Sequence, residues 1–132
     1  MGHLSYLLDT HTYLWVALNN PKLSAKAKAA ISSKDSKVYV SPVTAYEILN
    51  KYRIGRLPEY KALAENYLSV LNNSGLSELI INTKHFHYAG SFDWEHRDPF
   101  DRMLAAHAFI DDMILVTNDD VFDSLPWVNT LW

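Results

Sequence analysis

Short apolar runs recur along the chain, at Leu4–Leu8, Val38–Val40, Leu79–Ile81 and Met113–Val116, with a fifth at Val128–Leu131. Between them lie longer stretches whose apolar residues fall three and four apart. Runs of this length suit strands and the intervening spacing suits helices. Strands that alternate with helices are joined by right-handed crossovers into a parallel sheet covered on both faces. The fold class expected is therefore α/β, a three-layer α/β/α sandwich with a central parallel sheet. The 132 residues read as one domain spanning 1–132, within the range of about 100–200 for a single core. Met1-Gly2-His3 is either a native start or a remnant of the expression vector.

The helical stretches carry their own boundary signals. Thr10–Leu18 follows Asp9, and Ser24–Ser32 places Leu23, Ala27, Ala30 and Ile31 on one side. Pro42–Tyr52 opens with proline at the first helical position after Ser41 as N-cap. Tyr60–Leu71 is expected to close at Gly75, and Pro99–Ile110 to start from Asp98. No repeat, low-complexity tract or linker interrupts the series.

Composition excludes several chemistries. Without cysteine there is no disulfide, thiolate ligand or thiol nucleophile, so a metal must be held by oxygen or histidine. No apolar run approaches the ~20 residues of a membrane span, and the start lacks the order of a secretory signal. A cytoplasmic protein without a membrane partner is expected.

Ligands of parallel sheets bind beyond the carboxyl ends of the strands, and two acidic groups stand there. Asp9-Thr10 follows the first run, and Thr117-Asn118-Asp119-Asp120 follows the fourth. Asp9 suits either an N-cap or a ligand. Asp98, before Pro99, reads as a cap. Asp101 is in line with the small residues Ala105 and Ala108, so its carboxylate would lose hydration and needs a partner charge or a metal. Asp119 is placed to face Asp9 across adjacent strands, with Asp120 pointing elsewhere. Glu47 is four residues from Lys51, and on spacing alone that is an exposed pair worth a few tenths of a kcal/mol. If the four acids Asp9, Glu47, Asp101 and Asp119 converge, their repulsion calls for a divalent cation. All-oxygen ligation suits Mg²⁺ or Mn²⁺, which also bind phosphate oxygens, and the reaction that fits is metal-assisted phosphodiester hydrolysis.

The net charge of −3 conceals a segregation. From Pro21 to Lys61 nine Lys/Arg face three acids, whereas from His85 to Trp132 two arginines face nine. Lys22, Lys26, Lys28, Lys34 and Lys37 fit a solvated helix face, and an acidic site flanked by positive charge also fits a polyanion ligand.

The assembled residues resemble the PIN-domain family, and within it the VapC branch of bacterial and archaeal toxin ribonucleases. The matching pieces are Leu8-Asp9-Thr10-His11 with Leu14-Trp15, and Ser41 through Ile48. They continue with His96-Arg97-Asp98-Pro99-Phe100-Asp101-Arg102 through Ala108, and with Val116-Thr117-Asn118-Asp119. Their order and spacing cover nearly the whole chain. The resemblance implies that Asp9, Glu47, Asp101 and Asp119 form an acidic metal-binding quartet, which moves Glu47 from the surface into the site. It implies that Thr117 supports the site and that Asp98 bonds within it or caps the helix. It implies RNA cleavage with Mg²⁺ or Mn²⁺, a homodimer, and inhibition by a VapB-type antitoxin. Asn118 stands where the family often has a basic residue.

On this basis Asp9, Asp101 and Asp119 are expected to hold the metal, with Glu47 completing the site directly or through water. Arg102, Lys51, Arg53 and Arg56 are expected to contact RNA phosphates. His11, His96 and His107 lack a zinc spacing and are read as structural or solvent-facing. Trp15, Trp94, Trp127 and Trp132 are read as core or edge aromatics, or as anchors for a dimer partner or for bases. Two other functions compete with the nuclease. One is a catalytically silent RNA- or protein-binding module. The other is a Mg²⁺-dependent phosphatase with Asp9 as nucleophile, although Asp9-Thr10-His11-Thr12 lacks a second Asp two residues on.

Overall fold

The computed structural model describes residues 4–132, so the reading of Met1-Gly2-His3 lies outside the described residues. In chain order the elements are β1 (Leu4–Leu8), α1 (Thr10–Ala17), α2 (Ala25–Ser32), β2 (Ser36–Val40), α3 (Pro42–Arg53), α4 (Lys61–Glu65) and α5 (Tyr67–Asn72). There follow β3 (Ser77–Glu78), α6 (Thr83–Ser91), α7 (Pro99–Ile110), β4 (Ile114–Val116) and β5 (Thr130–Leu131). Single 3₁₀ turns occupy Pro58–Tyr60 and Asp120–Ser124.

The five strands form one sheet in the order β3-β2-β1-β4-β5, with every pairing parallel. Side chains alternate across a strand, so β1 feeds both faces of the sheet. Tyr6 and Leu8 pack with Tyr13, Leu14, Ile48, Leu63 and Tyr67 of α1, α3, α4 and α5. Leu7 packs with Leu104, Ala105 and Ala108 of α7, and with Phe122. That is the three-layer α/β/α sandwich expected from the alternation. None of the described helices is long and apolar enough to cross a membrane.

The caps explain most helix starts. Ser24, Ser41 and Asp98 accept backbone N–H groups at the heads of α2, α3 and α7, with proline first in the latter two. Four details depart from the sequence reading. The third strand lies at Ser77–Glu78, two residues before the run at Leu79–Ile81, because Tyr39 and Val40 pair with Ser77 and Glu78. The stretch expected as one helix over Tyr60–Leu71 divides at Asn66, whose backbone (φ −125°, ψ 26°) leaves the helical region. Its last helix is capped by Asn73, and Gly75 takes a left-handed φ of +78° two residues later. Finally, α6 was not expected. Its N-cap Asn82 accepts the Lys84 N–H, while Asn82 N–H donates to His85 Nδ1, a capping box with histidine where Glu or Gln is usual.

Candidate metal centre

The strand order reverses at β1, which has β2 on one side and β4 on the other. Such a switch point opens a crevice at the carboxyl ends of the strands. Leu8 and Val116 are in register there, so the residues that follow them, Asp9 and Thr117, emerge side by side.

Asp9 performs the cap role and the site role together. Its Oδ1 accepts the Thr12 N–H (2.8 Å) at the head of α1, while its Oδ2 accepts the Thr117 hydroxyl. The same Thr117 oxygen accepts the Asp119 N–H at 3.0 Å, so one buried hydroxyl ties the two acids together. Asp119 itself is exposed and caps the 3₁₀ turn by accepting the Val121 N–H at 3.0 Å.

Glu47 is 5% exposed. The face of α3 that carries it, with Val43, Thr44 and Ile48, is turned inward. Its two carboxylate oxygens accept the Thr10 hydroxyl and the Lys51 ammonium. Spacing alone makes that pair look solvated, and the helix's orientation buries its carboxylate while Lys51 stays partly exposed. Asp98 caps α7 through the Phe100 and Asp101 N–H groups (2.9 and 3.3 Å). Asp101, one turn in, points its Oδ2 at His96 Nε2, 2.7 Å away.

All four acids border one cleft of about 120 Å³, together with Asp98, Thr10, His11 and Lys51. Its chemistry rather than its size singles it out. A hollow of about 360 Å³ between α1 and α5 is larger but is lined by Tyr13, Val16, Val70, Leu76 and small polar residues. Burial pushes the Asp9 carboxyl up from its ordinary value, against the hydrogen bonds from Thr117 and Thr12 that favour its anion. Burial likewise lifts Asp101 to about 6, with the charges of Asp98 and Asp119 adding to the rise and His96 opposing it. Crowded, desolvated carboxylates of this kind suit a hard divalent cation. Asp9, Asp101 and Asp119, with Glu47 at the wall, fit that group by donor type and by lining one cleft. Among the described residues, the set of three acid or histidine side chains whose ligand atoms come within 4.8 Å of one another is His96, Asp98 and Asp101, and it shares Asp101 with the quartet.

Not every expected residue reaches the cleft. Lys51 lines it, but Arg53 and Arg56 are exposed and do not, and Arg53 donates to the Asn50 side chain. Arg102 requires a correction. Its guanidinium lies over the Phe92 ring and commits four of its five N–H groups to the carbonyls of Ala89, Phe92, Trp94 and His96, and it does not line the cleft, so its work is to hold the loop before α7. His96 was missed as a neighbour of the site. Only its place five residues before Asp101 hinted at it, and a loop residue has no periodicity to read. His107 is fully buried beside Ser41 and His85, in keeping with a structural role.

No curated relative matches the sequence. Among solved structures, the chain is similar to one in VapBC2 from Rickettsia felis bound to a DNA fragment from the promoter (TM-score 0.66, 18% identity, covering 97% of this chain and 98% of that one). DNA-bound VapBC from Salmonella typhimurium gives 0.66 and 22%, with 97% of each chain covered. VapBC-1 from nontypeable Haemophilus influenzae gives 0.63 and 16%, with the same coverage. At these identities the likeness is one of fold. The model of the PIN domain matches residues 6–128, and with that span the chain belongs to the PIN domain family.

Proposed function

We propose that the chain is a metal-dependent endoribonuclease of the VapC type, the toxin of a toxin–antitoxin pair, working in the cytoplasm as a single PIN domain. The observation that carries the reading is the convergence of Asp9, Glu47, Asp101 and Asp119, from four separate segments, on one cleft at the strand ends. Similarity to chains of VapBC complexes supports a VapB-type antitoxin as partner, and a second copy of this chain is the other partner we propose.

Asp9, Asp101 and Asp119 would hold Mg²⁺ or Mn²⁺, with Glu47 completing the site directly or through water. The bound cation supplies Lewis acidity and neutralises charge growing on the phosphate. Glu47 holds the Lys51 ammonium at the cleft wall, where it can meet a phosphate oxygen. The carboxylates orient the attacking water and accept its proton as its oxygen adds to phosphorus. One P–O ester bond then breaks, and the departing oxygen takes a proton from solvent.

Purified protein should cut RNA with Mg²⁺ or Mn²⁺, and lose that activity with a chelator. Asp9→Asn should lose it too, while keeping the cap on Thr12, since asparagine caps as well as aspartate. Retained cleavage in Asp9→Asn rejects the mechanism. RNA binding without cleavage, indifferent to metal and to Asp101→Asn, points instead to a silent binding module. A phospho-aspartate trapped at Asp9 points to a phosphatase.

A further inference from the structure

The stretch 92–96 between α6 and α7 has no regular secondary structure, yet it is firmly held. Arg102, from the first turns of α7, reaches back with Nε to the Ala89 carbonyl (2.9 Å) and with Nη1 to those of Trp94 (2.8 Å) and His96 (3.1 Å). Nη2 donates to Phe92 O. The Trp94 and His96 rings lie against each other, their centroids 4.8 Å apart. Backbone and ring of His96 are thus both fixed, and its Nε2 ends 2.7 Å from Asp101 Oδ2.

We propose that His96 is a positioning residue of the metal centre, which holds one oxygen of Asp101 through its Nε2–H so that the other stands ready for the cation. The inference rests on the metal-dependent reading above. An aspartate side chain turns about two torsions, and a carboxylate that must stop turning on binding loses affinity. A donor already locked in place removes that loss. Hydrogen-bond partners of ligating groups act in this way, and their removal typically weakens metal binding roughly 10–100-fold. Arg102 contributes at one remove, by fixing the backbone from which His96 projects.

The test is Mn²⁺ titration calorimetry without RNA on wild type, His96→Ala and His96→Gln, with thermal melts of each metal-free protein. His96→Ala should weaken Mn²⁺ binding roughly 10–100-fold with an unchanged melting midpoint. His96→Gln, whose amide N–H can occupy the place of Nε2–H, should restore most of the affinity. Equal affinity in wild type and His96→Ala overturns the proposal, as does a glutamine variant no better than alanine. A nitrogen directly coordinated to Mn²⁺ in pulsed electron paramagnetic resonance also overturns it, since His96 would then be a ligand. The two readings fail separately. A wild type that binds Mn²⁺ but cuts no RNA defeats the ribonuclease, whereas one that cuts RNA while His96→Ala binds Mn²⁺ normally defeats only the positioning role.

Discussion

Two titratable side chains, the partly buried Asp101 and the fully buried His107, oppose each other in their effect on stability. Asp101 holds its proton more tightly in the folded chain, at about 6 against an ordinary 3.8. Between those values the folded state carries the extra proton, so this contribution is present below pH 3.8 and is lost as pH rises through 6. Burial, with His85 close by, lowers His107 to about 4 from 6.5. Its contribution is present above 6.5 and is lost as pH falls through 4. In chelator, melts of the wild type from pH 4 to 6.5 should therefore show two trends that partly cancel. Asp101→Asn should leave the acid-side loss exposed, and His107→Gln should leave the loss on the alkaline side. Unchanged slopes in both variants would contradict the assignment. At this scale Asp9 was legible only as a cap or a ligand, because the two roles use different oxygens of one carboxylate. Glu47 was illegible locally, since its spacing to Lys51 is the same on a wet or a dry face of a helix.

Among the elements, α7 and its Arg102 hold together what the sequence left blank. Replacing Arg102 by alanine removes a guanidinium from four carbonyls and from the Phe92 ring, and the expected loss is about 3 kcal/mol or more, measured by chemical denaturation. Gly75 gives a smaller prediction. A Cβ there meets nothing within 4 Å, but its left-handed backbone disfavours any side chain, so Gly75→Ala should cost about 1 kcal/mol. The strands β1, β2 and β4 could be read from their apolar runs because β1 and β4 are buried on both faces and β2 is buried at Val38 and Val40 with Tyr39 partly covered between them. The third strand slipped by two residues because backbone pairing, not apolarity, defines it, and Ile80 in the expected run is 86% exposed. Helix α6 went unseen because its buried positions are a histidine and an alanine, His85 and Ala89, and its cap lacks the usual acidic partner.

For the molecule as a whole, β1 supplies residues to both apolar layers, so neither layer can come apart without disturbing the other. Circular dichroism and tryptophan fluorescence should report one coincident unfolding transition, and Mn²⁺ should raise its midpoint. The uneven charge along the chain belongs at this scale too. If Lys51, Arg53 and Arg56 meet RNA, changing all three to alanine should make the salt dependence of RNA affinity shallower by about 2–3 counterions. The two outermost strands carry a further consequence. β3 and β5 are two residues long, and each pairs with its inner neighbour over just two positions. Stubs this brief offer a visiting chain almost no free ladder to extend. Sheet extension is therefore a poor route for joining a second copy, and crowding the protein at high concentration should not seed fibrils along the margins of its sheet.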